Sequence, residues 1–247
     1  MFSSKPQQTC CLLAVIIGLF FLAPCPWVEA DDSGLQREYL AKRLGMVREQ
    51  IEARGISTPA ILDALKTVPR HRFVPGKYEA YAYQDSPLPI GYGQTISQPF
   101  IVAYMTEIIE PQPGDKILEL GTGSGYQAAI LAQIVDQVYS IEIIPQLAQR
   151  NAQLLEQLGY TNIHSKQGDG YFGWPERAPF DAIVVTAAAP YVPPPLLEQL
   201  KLGGKMVIPV GSPFRTQNLL LVEKSFAGDI RTRNLLPVRF VPLRRAP

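Results

Sequence analysis

The chain has 247 residues, 47 % of them hydrophobic, which is material for a sizeable core. Its 23 basic and 22 acidic residues give a net charge of +1, which argues against a nucleic-acid binder relying on a strongly basic surface. All three cysteines, Cys10, Cys11 and Cys25, lie in the first thirty residues, so a chain without that stretch has no disulfide, thiolate nucleophile or cysteine metal site.

Lys5 precedes an uncharged, largely apolar run from Cys10 to Ala23, and Pro24-Cys25-Pro26-Trp27-Val28-Glu29-Ala30 follows. This is the layout of a secretory signal peptide with a Val-x-Ala site before Asp31. Residues 1–30 are expected to be a leader cleaved after Ala30, and residues 31–247 a single exported domain. The apolar run is short for a spanning helix, so no stable membrane anchor is expected after cleavage. Lipidation at Cys25 is the alternative: Leu22 is well placed for it and Pro24 poorly. Losing Lys5 and Glu29 leaves 22 basic and 21 acidic residues, still +1.

Leu35, Leu40, Leu44, Val47 and Ile51 recur at helical spacing, with Gly55 placed to end the helix. A second helix starts at Pro59, capped by Ser57 or Thr58, with Ile61, Leu62 and Leu65 as its apolar face. Pro69 to Pro99 is rich in Pro, Gly and Tyr and predicts a long structured loop of the functional kind. Helix and strand then alternate. Helices are expected at Phe100–Ile109, Tyr126–Ile134, Pro145–Leu158 (ended by Gly159) and Pro195–Leu200 (closed by Gly203-Gly204). Strands are expected at Lys116–Leu120, Gln137–Ile141, Asn162–Gln167, Phe180–Thr186, Lys205–Val210, Asn218–Glu223 and Val238–Leu243. The pattern predicts an α/β fold, doubly wound around a mostly parallel sheet, with ligands at the carboxyl ends of the strands. Arg231, Arg233, Arg239, Arg244 and Arg245 read as a solvated tail.

The run Ile117-Leu118-Glu119-Leu120-Gly121-Thr122-Gly123-Ser124-Gly125-Tyr126 passes from a strand into a glycine-rich turn. A dinucleotide fingerprint would need glycine at Tyr126, and a phosphate loop would end in Gly-Lys-Ser/Thr, so neither fits. The G-x-G-x-G form with Glu119 upstream resembles the cofactor loop of S-adenosylmethionine-dependent methyltransferases. Glu142, at the end of the next strand, is placed to accept hydrogen bonds from both hydroxyls of a ribose, or else to cap the helix near Pro145. At Gly168-Asp169-Gly170 the third strand offers a carboxylate to an adenine amino group, or an Asx turn.

Asp85-Ser86-Pro87-Leu88-Pro89-Ile90-Gly91-Tyr92-Gly93-Gln94-Thr95-Ile96-Ser97-Gln98-Pro99 resembles the signature of protein-L-isoaspartate O-methyltransferases. Val68-Pro69-Arg70-His71-Arg72-Phe73-Val74-Pro75, Thr186-Ala187-Ala188-Ala189-Pro190 and Gly203-Gly204-Lys205-Met206-Val207-Ile208-Pro209-Val210-Gly211 are similar to further motifs of that family, and the resemblance covers Leu35 to Leu243. The leader departs from the family pattern. The chain also stops at Arg244-Arg245-Ala246-Pro247, which leaves open the C-terminal contribution to the cofactor pocket found in longer relatives.

The resemblance implies methyl transfer from S-adenosylmethionine to the free α-carboxylate of L-isoaspartyl residues in damaged proteins and peptides. The ester then collapses to a succinimide whose hydrolysis returns some normal aspartate. Such a carboxylate is ionised at neutral pH and needs no general base, so His71 and His164 are expected to be structural, and no metal is expected. Ser97 carries over as the catalytic residue, bonding the substrate carboxylate or holding the loop over the cofactor. Its second reading is as N-cap of the next helix. Gln94, Thr95 and Ile96 would form a lid over the methionine part of the cofactor, with Glu119, Gly121, Thr122, Gly123, Gly125 and Gly170 completing its pocket. Asp85 would help shape the acceptor pocket. Residues 31–99 would supply N-terminal helices and the substrate and cofactor loop, and residues 100–247 the cofactor-binding core of a monomer. Because S-adenosylmethionine is made in the cytosol, a cytoplasmic location is the alternative to export. Two other functions stay open. A methyltransferase for nucleic acid or small molecules would share the cofactor half, although Thr186-Ala187-Ala188 stands where an amine-methylating Asn/Asp-Pro-Pro-aromatic motif would be. A non-catalytic binding protein on the same fold is the other.

Overall fold

The computed structural model describes residues 27–212 and 215–246, with side chains from Gly34 onward. The apolar run, the three cysteines and most of the expected leader lie outside the described residues. The described residues from Arg37 onward form one compact unit. Among the described residues no helix is long and apolar enough to cross a membrane.

Helix α1 (Trp27–Met46) includes the expected cleavage bond in its first turn, and passes through a π turn (Val47–Ile51) and a 3-10 turn to Gly55 at φ 93°. Its buried side is not the leucine stripe: Leu35, Leu40 and Leu44 are exposed, whereas Tyr39, Met46, Val47 and Ile51 are buried. Val47 and Ile51 are buried as expected, and Tyr39 takes the inner face in place of the leucines, stacked flat on His71 with centroids 3.9 Å apart. Helix α2 (Pro59–Thr67) buries Ile61, Leu62 and Leu65 as expected. Neither Ser57 nor Thr58 caps it through a side chain. Instead Glu107, from a later helix, accepts from both of their amides and from the Thr58 hydroxyl at 2.8 Å.

The Pro69–Pro99 stretch is more ordered than a loop. It holds 3-10 turns at Arg70–Phe73 and Gly76–Tyr81, then a hairpin of β1 (Leu88–Gly91) and β2 (Gln94–Ile96). Tyr92 and Gly93 have φ of 54° and 72°, the double positive φ of a type I′ turn. Pro87 and Pro89 obscure this strand in the sequence, and Pro89 is tolerated because β1 is an edge strand.

Beyond it come α3 (Pro99–Ile108), β3 (Lys116–Leu120), α4 (Tyr126–Ala132), β4 (Gln137–Glu142), α5 (Pro145–Gln157), β5 (Ile163–Gln167), β6 (Phe180–Val185), α6 (Pro194–Gln199), β7 (Leu200–Val210), β8 (Gln217–Lys224) and β9 (Ile230–Val238). The seven-stranded sheet runs β5-β4-β3-β6-β7-β8-β9. It is parallel from β5 to β7 and antiparallel from β7 to β9. Leu118 and Leu120 face one apolar core and Ile117 the other, the double burial expected of a central parallel strand.

Two strand expectations are corrected. Gly203-Gly204 does not close α6. It lies inside β7, where pairing with β6 jumps from Phe180↔Leu200 to Ala182↔Lys205. A Cβ on Gly204 would come 2.8 Å from the Asp181 carbonyl oxygen, so the glycine permits the bulge. The last strand is Ile230–Val238 and not Val238–Leu243. Its first five residues are exposed, which hides the alternation, and Arg231 and Arg233 belong to this strand, not to a tail.

Candidate active site

Strand order reverses between β4 and β6, on either side of β3, and the glycine turn leaves β3 at that switch point. Gly121, Gly123 and Gly125 have φ of 91°, 54° and 87°, which β-carbon-bearing residues rarely adopt. A Cβ on Gly121 would also lie 2.8 Å from Thr186 Oγ1, which donates to the carbonyls of Leu120 and Gly121. The turn's amides are used within the protein. Gly121 and Thr122 donate to Ile141 O, Gly123 to Glu142 and Gly125 to Thr122 O. A ligand is thus offered close backbone approach, not the ring of free donors that a pyrophosphate needs.

Glu142 ends β4 almost fully buried. One carboxylate oxygen accepts from Gly123 N at 2.8 Å and the other from Ile144 N at 2.9 Å, so it braces both the glycine turn and the entry to α5. Glu119 is wholly buried beneath it. Glu119 Oε2 accepts from the Ser140 hydroxyl, which also meets Thr122 Oγ1 at 2.5 Å, while Oε1 has no partner among the described residues. Burial pushes the Glu119 carboxyl up to about 8. The Ser140 bond opposes that shift and the Glu142 charge adds to it.

Above these acids is a cavity of about 60 Å³. Gln94, Thr95, Ile96 and Ser97 line it from the hairpin side, and Glu119, Gly121, Thr122, Gly123, Glu142 and Gly170 from the strand ends. Gly125 is not on its wall: it precedes α4, and a Cβ there would meet Leu155 at 3.7 Å. Asp85 lies away from it too, bonded to Arg54 and Gln98. Ser97 does not cap α3. The cap position is Gln98, and no side chain serves it.

Asp169 borders a neighbouring cleft with Tyr92, Arg244 and Arg245. Its Oδ1 accepts from Tyr171 N, the turn anticipated from its flanking glycines, and its Oδ2 accepts from Arg245 Nε at 2.9 Å and Ala246 N at 3.1 Å. Burial works against the Asp169 charge, but these bonds outweigh it and hold the carboxyl below its ordinary range. The solvated-tail reading of the last arginines is therefore wrong. Val241 to Arg244 line the main cavity, Arg244 bonds Tyr92 O, and the Arg245 guanidinium lies 3.7 Å from the centre of the Tyr171 ring. Backbone bonds between Ala188 and both Val241 and Leu243 fix this segment across the strand ends. Sequence alone carried little signal for it, because strap segments have no periodicity.

A second cavity, lined by Pro87, Ile101, Pro237, Arg239 and Phe240, shares Thr95, Ser97, Thr186 and Val241 with the first. Thr186 was legible as a motif residue but not as a site residue. Both histidines are away from the cavities. His71 is buried, with Nδ1 2.8 Å from the Tyr83 hydroxyl, and burial together with Arg43 lowers it to about 4. His164 is exposed on β5 and stacks on Tyr139.

Residues 41–246 match the family described as protein-L-isoaspartate(D-aspartate) O-methyltransferase. Protein-L-isoaspartate O-methyltransferase 1 of Nitrosospira multiformis is 59 % identical over 209 residues, covering 84 % of this chain and 89 % of its own. A protein of the same name from Cupriavidus necator is 51 % identical over 244 residues, 97 % of this chain and 94 % of its own. A solved protein-L-isoaspartate O-methyltransferase superposes with a TM-score of 0.73 at 29 % identity, over 82 % of this chain and 65 % of that one. A Plasmodium falciparum structure, described as a complex with S-adenosyl-L-homocysteine, superposes at 0.70 with 24 % identity, over 83 % and 99 %, and shares the fold. With its glycine turn, its buried acid pair and these relatives, the chain belongs to the protein-L-isoaspartate O-methyltransferase family.

Proposed function

We propose that this chain transfers the methyl group of S-adenosylmethionine to the free α-carboxylate of L-isoaspartyl residues in damaged proteins and peptides, starting their repair. The cofactor supplies an electrophilic methyl on a sulfonium. The carrying observation is the wall shared by the two cavities, where Thr95, Ser97, Thr186 and Val241 separate the cofactor side from the Pro87–Phe240 side. An acceptor carboxylate has an unperturbed pKa near 4 and arrives ionised, so the protein removes no proton. Its work is orientation and exclusion of water, and no metal ion is called for.

In this role Glu142 takes the ribose hydroxyls, Gln94, Thr95 and Ile96 cover the methionine part, and Asp169 accepts the adenine amino group in place of Arg245 and Ala246. Ser97 orients the acceptor. The enzyme acts as a monomer and, with its leader removed, outside the cytoplasm. The test is single-turnover methylation of an isoaspartyl peptide and of its normal aspartyl twin, whose carboxylate is displaced by one methylene. Only the first should react appreciably. Ser97→Ala should lower that rate with cofactor affinity kept, and equal rates on the two peptides would overturn the assignment.

A further inference from the structure

Arg70, in the segment Val68–Pro75, is wholly buried, lines neither cavity and has no assigned task. Its Nε donates to Ala82 O at 2.8 Å and its Nη2 to Ser97 O at 2.7 Å, and its guanidinium carbon lies 4.8 Å from the centre of the Tyr126 ring. No described carboxylate forms an ion pair with it. Asp85, an acid whose field reaches it, is paired with Arg54 and bonded to Gln98. A buried cation without an acid partner is costly, and an apolar side chain would fill the space at less expense. What a guanidinium adds is a planar fork that can bond two carbonyls and lie against an aromatic ring.

Two of those partners, Ser97 and Tyr126, belong to the two halves of the site. The hydrogen-bond ladder of α3 starts at Gln98 O, which accepts from Val102 N, one residue beyond Ser97, so the helix does not fix the Ser97 carbonyl. Tyr126 opens α4 straight after the glycine turn and lines the cofactor cavity. We propose that Arg70 is a positioning residue for methyl transfer, tying Ser97 on the acceptor side to Tyr126 on the cofactor side. This rests on the function proposed above.

Arg70→Lys keeps the charge but cannot bond both carbonyls in one plane, and Arg70→Gln keeps one donor group without the charge. Each is measured for kcat and KM on the isoaspartyl peptide, calorimetric cofactor Kd and thermal unfolding, alone and combined with Ser97→Ala. Expected is a fall in kcat of about ten- to a hundredfold with cofactor Kd within about threefold, and a much smaller fall in the Ser97→Ala background, where little is left to position. Full kcat in a folded variant, a loss confined to cofactor Kd, or losses that multiply with Ser97→Ala would overturn the role. Two unfolded variants would mark Arg70 as a plain core residue and overturn it as well. A parent enzyme inert on the peptide would refute the reaction and this role with it, whereas an active parent beside a fully active Arg70→Lys refutes the role alone.

Discussion

Glu119 and Glu142 come from neighbouring strands and face one cavity, but their environments separate their tasks. Glu142 is held by two backbone amides, which aim it while leaving acceptor capacity for a ligand. Its loss removes charge-assisted hydrogen bonds worth about 1.5–3 kcal/mol, so Glu142→Ala should weaken cofactor binding roughly ten- to a hundredfold in a folded protein, as read by calorimetry. Glu119 binds its proton more tightly in the folded chain, at about 8, than an unfolded glutamate does. Its contribution to stability is thus complete below the unfolded pKa and is lost as pH rises through the folded value. Compared with Glu119→Gln, the parent should lose melting temperature steadily between pH 5 and pH 8, and unfolding scans across that range would show parallel curves if Glu119 titrated normally. Both acids were legible because each stands at or beside the end of a largely apolar strand. Arg70 and Thr186 were not singled out as site residues, since an arginine or threonine in one sequence gives no sign of what it touches.

The element that alters the site most is the segment from Val241 to Ala246. It sets Arg245 and Ala246 N on the carboxylate proposed for the adenine amino group. Solvent and salt screen an exposed pair of this kind, so Arg245→Ala should tighten cofactor binding only slightly, with the difference shrinking in high salt. Titrations at two ionic strengths decide it, and weaker binding in the variant would make Arg245 a brace for Asp169, not its competitor. The elements that escaped the sequence share a cause: apolar periodicity was broken by residues serving local geometry. Pro89 masks the hairpin, Gly204 reads as a stop where it permits a bulge, and the exposed arginines of β9 conceal an edge strand. The parallel strands β3, β4 and β6 were legible nearly to the residue because burial on both faces leaves continuous apolar runs.

At the scale of the whole molecule, the sheet order brings to one rim residues far apart in sequence: Ser97, Gly121, Glu142, Thr186 and Val241. Alternation of helix and strand was enough to predict that rim, and the motifs were enough to predict most of its residues. The amino-terminal end makes a separate prediction. If the leader is removed as proposed, native protein should have the intact mass of a chain beginning at Asp31, and a cytosolic full-length product would refute export. The wall between the two cavities also bears on which damaged proteins are repaired. If Ser97 orients the acceptor as proposed, the acceptor brings a single carboxylate to it between Pro87 on one side and Arg239 and Phe240 on the other. A residue locked in a packed helix or sheet cannot present itself that way without its neighbours peeling off. Methylation at a given lesion should therefore follow the free energy of opening that segment, as amide exchange does, so that damage in frayed ends is mended first and damage in a stable core waits on unfolding.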